Sequence, residues 1–410
     1  MIYFNKMPNG GGRLSFFKHI QEFYTDTVHI KNLSGKCLFL CFLIFLFGCA
    51  TDNTPKPNPV PKIDNSVNVS IVWDVGSLSN SSPGSFVPVI DADNAIFTAD
   101  SSGRIYKFDS SDGTKIFSFK LDKKLTSGTA INSDTIFVTT ADSYLLAIGK
   151  ANHQIKWKAK LPTLSIEAPQ STNNIVIVRT NDATLLAYNT ENGSLLWVVQ
   201  QPIPTLTLRS TNTFQIAPSE DILVTGGPNG RLSVINLLNG MTIWSTFIAV
   251  PSGATDFDKL IDIDMRPVLN SDRIICVGSY NGNITCLDAI SSNTIWSNKF
   301  STSTQILTDE QNVYAIGQDG VVYAFDRHSG KTIWKSNILQ YRVLGSPAFI
   351  NNYIATVEID GYINLFDKGT GALVSRISSN LYDGTSYPIS NGSAVIMQSA
   401  NGHLAKFIIK

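Results

Sequence analysis

From residue 67 to the C-terminus, short apolar segments alternate with turns bearing Gly, Asn and Asp, and no stretch sustains the period of a helix. The alternation repeats on a fixed frame. Its aromatic column is Trp73, Trp157, Trp197, Trp244, Trp296 and Trp334, with Phe117 and Ser375 standing where the spacing demands a member. The steps between members are 44, 40, 40, 47, 52, 38 and 41 residues. Fourteen positions before most members comes a glycine (Gly103, Gly230, Gly282, Gly320, Gly361), replaced by Ser143 and Ala183 in the second and third units. Ser102, Asn229, Asn281, Asp319, Asp360 or Asn401 precedes this position, so several units carry the Asn-Gly or Asp-Gly signal of a tight hairpin.

A second turn column follows. Asp109, Asn189, Asn236, Asp288, Asp326 and Asp367 lie eight residues before the aromatic, and Gly113, Gly193, Gly240, Gly330 and Gly371 four before it. The columns flanking the first turn are apolar: Phe97, Phe137, Ile177, Val224, Cys276, Tyr314 and Ile396 before it, Ile105, Leu145, Leu185, Leu232, Ile284, Val322, Ile363 and Leu404 after it. With the apolar segment that opens each unit, this makes four short strands per unit of roughly 40 residues, in sheets buried on both faces. The expected fold is all-β, an eight-bladed β-propeller of four-stranded blades. The last unit stops at Lys410 before any fourth strand, whereas Ile71–Val75 is a fourth strand with no unit of its own. Pairing the two closes the ring and removes its open edges. The tryptophan column is expected to pack between neighbouring blades.

Ahead of this region the pattern changes. Cys37 to Phe47 is an apolar run of eleven residues preceded by Lys31 and Lys36, the length of a signal-peptide core and too short to span a bilayer. It ends in Leu46-Phe47-Gly48-Cys49, which resembles the bacterial lipobox, with Phe47 where smaller residues are usual. That resemblance implies an exported chain cleaved before a lipidated Cys49. Pro55, Pro57, Pro59 and Pro61 then alternate with other residues, as expected of an extended, unpacked tether. The organisation expected is therefore a leader over 1–48, a lipidated N-terminus and tether over 49–66, and the propeller over 67–410.

Charge narrows the partners. The chain carries 32 basic and 32 acidic residues, and with five and two of these in the leader, the remainder holds 27 and 30. A slightly acidic mature chain has no footprint for nucleic acid. His153, His328 and His403 fall in separate units at turn-like positions, which suggests neither a metal cluster nor a catalytic triad. Cys276 and Cys286 flank one hairpin. A two-residue turn at Asn281-Gly282 would put them on opposite faces of the sheet, so the expectation is two buried free thiols rather than a disulfide.

The repeat, a small residue, Asp or Asn, Gly, a second Asp or Asn, Gly and Trp, resembles the PQQ-type propeller repeat over residues 67–410. Two segments narrow the likeness: Pro204-Thr205-Leu206-Thr207-Leu208-Arg209-Ser210, and Thr255 to Asp264 followed by Pro267. Both look like signatures of the BamB family, lipoprotein subunits of the outer-membrane β-barrel assembly machinery. The resemblance implies that Leu206, Leu208, Arg209, Asp262 and Asp264 contact BamA, alongside the other Bam subunits and unfolded outer-membrane protein substrates. It implies a lipid anchor at Cys49 in the outer membrane, facing the periplasm, with no cofactor and no catalytic residue.

Independently of the resemblance, the steps of 47 and 52 residues are the longest and contain these two segments, as insertions that form functional loops do. Strands alternate direction within a blade, so connections from one blade to the next emerge on one face, and the two segments should form a single patch. Other readings of the same residues remain. Leu206 and Leu208 suit inward packing, and Asp262 and Asp264 suit backbone capping or a weak cation site. A quinoprotein dehydrogenase would share the repeat, but such enzymes are similar in repeat while much longer, with adjacent cysteines that this chain lacks. A propeller lipoprotein serving another periplasmic partner differs only in the two loop segments.

Overall fold

The computed structural model describes residues 55–410 except 77, 80–85, 209, 210, 253 and 257. The leader and Cys49 lie outside the described residues. Lys56–Lys410 forms one compact unit, in which the strands assemble into eight antiparallel four-stranded sheets. Blade one runs Val89–Ile90, Ala95–Ala99, Arg104–Asp109 and Lys115–Lys120 from the axis outward. Blades two to seven begin at Ala130–Ile131, Gln170–Ser171, Phe214–Ala217, Val268–Leu269, Leu307–Thr308 and Ala348–Ile350. Every residue of the two apolar columns named above is buried, so the core lies between blades.

Local chemistry sets the turns. The Asp or Asn of the second turn folds back on its own backbone: Asp109 Oδ1 accepts the N–H of Ser111 at 2.7 Å, and Asn236 Oδ1 those of Leu238 and Asn239 at 3.0 and 3.1 Å. This Asx turn leaves one carbonyl free to the side, and the preceding blade's tryptophan takes it. Trp73, Trp157, Trp197, Trp244, Trp296 and Trp334 donate their indole N–H to the carbonyls of Ser110, Thr190, Leu237, Ala289, Arg327 and Lys368. The turn glycine lies flat beneath the ring: a Cβ on Gly330 would stand 2.6 Å from Trp296 Cδ2. The column is thus an inter-blade clamp. In blade two the glycine position is His153, at φ +58, and it stacks against Phe117 and Phe119 with centroids 4.6 and 4.4 Å apart.

Ser375 interrupts the column for a physical reason. The next blade is the eighth, whose third and fourth strands, Leu404–Ile409 and Val69–Val75, come from opposite ends of the chain. No Asx turn joins them, so an indole at 375 would have no turn to clamp. Closure follows the expected pairing, from Val69 opposite Ile409 to Val75 opposite Leu404. It is reinforced by His403 Nδ1 at 2.7 Å from Asp74 Oδ1, and by Asn380 Nδ2 donating to Asp74 Oδ2 at 2.6 Å. Gln398 Nε2 donates to the Ala99 carbonyl at 3.1 Å, tying blade eight to blade one.

Two expectations fail. Cys276 and Cys286 form a disulfide. Their hairpin closes between Ser279 and Asn283, leaving Tyr280, Asn281 and Gly282 as a three-residue turn rather than a two-residue one, and that odd count sets Cys276 directly opposite Cys286 on one face. The proline-bearing tether is extended but not unpacked. Asn58, Val60, Asn65 and Ser66 all contact blades six and seven.

Candidate functional site

Two faces of the ring differ in content. The connections that leave each outermost strand for the next blade share one face with the Asn-Gly hairpins, the connection face, while the Asx turns lie on the other. Two long connections, 201–213 after blade three and 248–267 after blade four, meet on the connection face. Asp262 joins them. One carboxylate oxygen accepts Thr207 Oγ1–H at 2.7 Å and the Leu208 N–H at 2.6 Å, while the other accepts the Asn229 N–H of the blade-four hairpin at 3.0 Å. Its backbone carbonyl accepts the Tyr280 N–H of the blade-five hairpin at 2.9 Å. Asp262 is 2% exposed, so it caps backbone rather than offering a free charge.

The apolar members are presented differently. Leu206 is 44% exposed, beside Ile203 at 41%, while Leu208 is half-buried. Arg209 lies outside the described residues. Asp264 sits two residues beyond Asp262 with its Oδ1 buried and unpartnered. Burial, with the charge of Asp262 adding to it, pushes its carboxyl up to about 7. The structure therefore brings Leu206, Leu208, Asp262 and Asp264 into two adjoining connections, with distinct roles.

Beneath the loops lies a cleft of about 240 Å³ lined by Arg179, Glu167, Ile203, Leu208, Asp262 and Ile263 among others. Arg179 Nη1 donates to Thr213 Oγ1, which donates in turn to Glu167 Oε2 at 2.9 Å, and Glu167 Oε1 accepts the Thr213 N–H. Burial pushes the Glu167 carboxyl up against the pull of Arg179 and Thr213, and pushes the Arg179 guanidinium down. This buried network anchors the end of the 201–213 connection. Its signal stood in the sequence unread: Arg179 holds a column that is otherwise Ala99, Thr139, Gly226, Gly278, Ile316, Val357 and Gln398. Nearby, Arg266 donates from Nε to Asn212 Oδ1 at 3.1 Å and lies 4.7 Å from the Tyr387 ring. Because Arg266 precedes blade five and Tyr387 blade eight, that contact crosses the axis of the ring.

A family model described as outer membrane protein assembly factor BamB matches residues 101–336 and 318–408. Among curated relatives, the outer membrane protein assembly factor BamB of Bordetella pertussis is 31% identical over 367 residues, covering 88% of this chain and 94% of that one. The Escherichia coli K12 protein of the same name is 25% identical over 383 residues, covering 88% and 96%. Among solved structures, BamB from Moraxella catarrhalis superposes with a TM-score of 0.74 at 22% identity, over 83% of this chain and 100% of that one. Quinohemoprotein alcohol dehydrogenase from Comamonas testosteroni reaches a TM-score of 0.67 at 11% identity, a likeness of fold alone.

Proposed function

The chain belongs to the BamB family of outer membrane protein assembly factors, and from that membership we propose that it is a non-catalytic lipoprotein scaffold of the outer-membrane β-barrel assembly complex. In this reading Cys49 carries the lipid that holds the protein to the periplasmic face of the outer membrane. The connection face over blades three to five docks a periplasmic domain of BamA, and the scaffold, with the other Bam subunits, helps present unfolded barrel precursors for insertion. Leu206, Leu208 and Arg209 supply the contact. Asp262 positions it, and Asp264 belongs to the same surface as the second acid of that segment.

The observation that carries this reading is the bridge from Asp262 to Thr207 and Leu208, which makes one surface of the two family-like segments. An exposed apolar centre with charge around it is the usual anatomy of a docking surface. Detergent-solubilised protein is expected to co-purify with BamA, and Cys49→Ala protein to remain an unacylated precursor. Co-purification that survives loss of Leu206 and Leu208 together would place the partner site elsewhere.

A further inference from the structure

Residues 56–66 cross the rim of the ring from one face to the other. At the connection face, in the loop between blades six and seven, Asn58 makes three hydrogen bonds. Its N–H donates to the Gln340 carbonyl at 3.0 Å, its Nδ2 to the Asn337 carbonyl at 3.1 Å, and its carbonyl accepts Arg342 Nη2 at 3.2 Å. Pro57 and Pro59 flank it, so Asn58 holds the one backbone N–H of that triplet, and it is used. Val60 packs on the cluster containing Leu339 and Trp334. Further along, Asn65 Oδ1 accepts the Arg376 N–H at 2.9 Å and Ser66 Oγ donates to the Val374 carbonyl at 3.4 Å. Asn68 then reaches the Asx-turn face, where its carbonyl accepts the Lys410 N–H.

The two arginines that meet this segment are held by one buried acid. Glu358, 1% exposed, receives Arg342 Nη1 at 3.2 Å and Arg376 Nε and Nη2 at 2.9 and 3.2 Å. The segment is therefore gripped near Asn58 by an arginine side chain that is itself fixed and near Asn65 by the backbone of a blade-seven strand, which a merely passing linker does not require.

We propose that residues 56–66 are an orienting strap, which makes the chain leave the propeller from the connection face and so turns that face, with its docking loops, toward the lipid surface. This rests on the reading of Cys49 as the lipidated residue. Without the strap, the first fixed point would be Asn68 on the opposite face, 19 residues from Cys49, a leash of up to about 65 Å. With it, the leash starts at Asn58, is nine residues long, and spans at most about 30 Å. A six-residue strand separates the faces by about 20 Å, so the shorter leash leaves only about 10 Å of slack for the far face to turn to the lipid, whereas the longer one would leave about 45 Å and little preference.

The test uses protein beginning at residue 49 with a hexahistidine tag in place of Cys49, bound to phosphatidylcholine vesicles containing a nickel-chelating lipid and a lipid-borne acceptor dye. A donor dye is placed on Lys259→Cys, at the connection face, or on Lys331→Cys, in an Asx turn on the other face. Energy transfer is expected to be higher from position 259 than from 331. The difference should be lost in Asn58→Pro/Asn65→Ala protein that melts like its parent. Equal transfer from the two positions, higher transfer from 331, or a difference that survives release of the strap would each overturn the proposal. The tagged protein makes this outcome independent of lipidation, and mass spectrometry of the membrane-bound natural protein tests acylation of Cys49 separately.

Discussion

The carboxylate of Asp262 accepts the backbone N–H of Leu208 at 2.6 Å across a sequence separation of 54 residues. A buried acid thus sets the conformation of a loop whose neighbouring residue, Leu206, is free to touch something else.

This division of labour separates two kinds of variant. Asp262→Ala leaves the donors of Thr207, Leu208 and Asn229 without their acceptor and should cost about 1–3 kcal/mol of stability. Leu206→Ser, at an exposed position, should change stability by less than about 0.5 kcal/mol while weakening partner binding. Denaturant melts of the two proteins decide the point, and equal stability would show that Asp262 is not what holds the loop.

Asp264 gives a pH dependence with a definite sign. Its carboxyl is raised from 3.8 to about 7 in the folded chain. The protonated form is the one the fold favours, so its contribution is full below pH 3.8 and is lost as the pH rises through about 7. Asp264→Asn should therefore be more stable than its parent at pH 8, by at most about 4 kcal/mol, with the advantage fading toward pH 4. Urea melts at both pH values measure this. A gap that does not vary with pH would mean the carboxyl is not buried unpaired.

The inter-blade clamp predicts a graded pair. Trp296→Phe keeps most of the packing but leaves the Arg327 carbonyl without its donor, for a cost of about 1 kcal/mol. Gly330→Ala should cost more than about 1 kcal/mol, because φ is +71 there and the new Cβ meets the Trp296 ring. Thermal melts followed by tryptophan fluorescence rank the two, and the reverse order would contradict the clamp geometry.

Deleting Asn68 to Val75 removes a single strand but opens the ring at blade eight, exposing the Leu404–Ile409 edge. The deletion protein should aggregate or be degraded. A soluble product with the parent's melting behaviour would show that closure does not depend on this strand.

The ring was legible because its determinants are local and repeated. Each turn needs its own Asp or Asn and its own glycine, and each tryptophan reports a neighbour one unit away. Even the exception at Ser375 follows from the break at the chain ends. What was not legible depends on pairings that no column carries. The disulfide turned on whether the Asn281-Gly282 hairpin used two residues or three, and Asn281 at φ +51 takes part in the longer form. The docking of residues 56–66 depends on the Arg342 side chain, which the sequence shows only as a surface-like charge far away, and on backbone groups such as the Arg376 N–H, which no side-chain pattern marks. For the loops, spacing brought Leu206 and Asp262 to one face, but it could not say that Asp262 would be buried as the brace.

The proposed docking of BamA on the connection face over blades three to five is measured by titrating purified periplasmic domains of BamA against this protein and its Leu208→Ser and Lys331→Ala variants, each first shown to melt like the parent. Truncating an anchor at the centre of a docking surface costs about 2 kcal/mol, so Leu208→Ser should bind some thirtyfold more weakly, while Lys331→Ala, in an Asx turn on the opposite face, should bind as the parent does. Equal affinities for all three proteins, or a loss only with Lys331→Ala, would contradict the account.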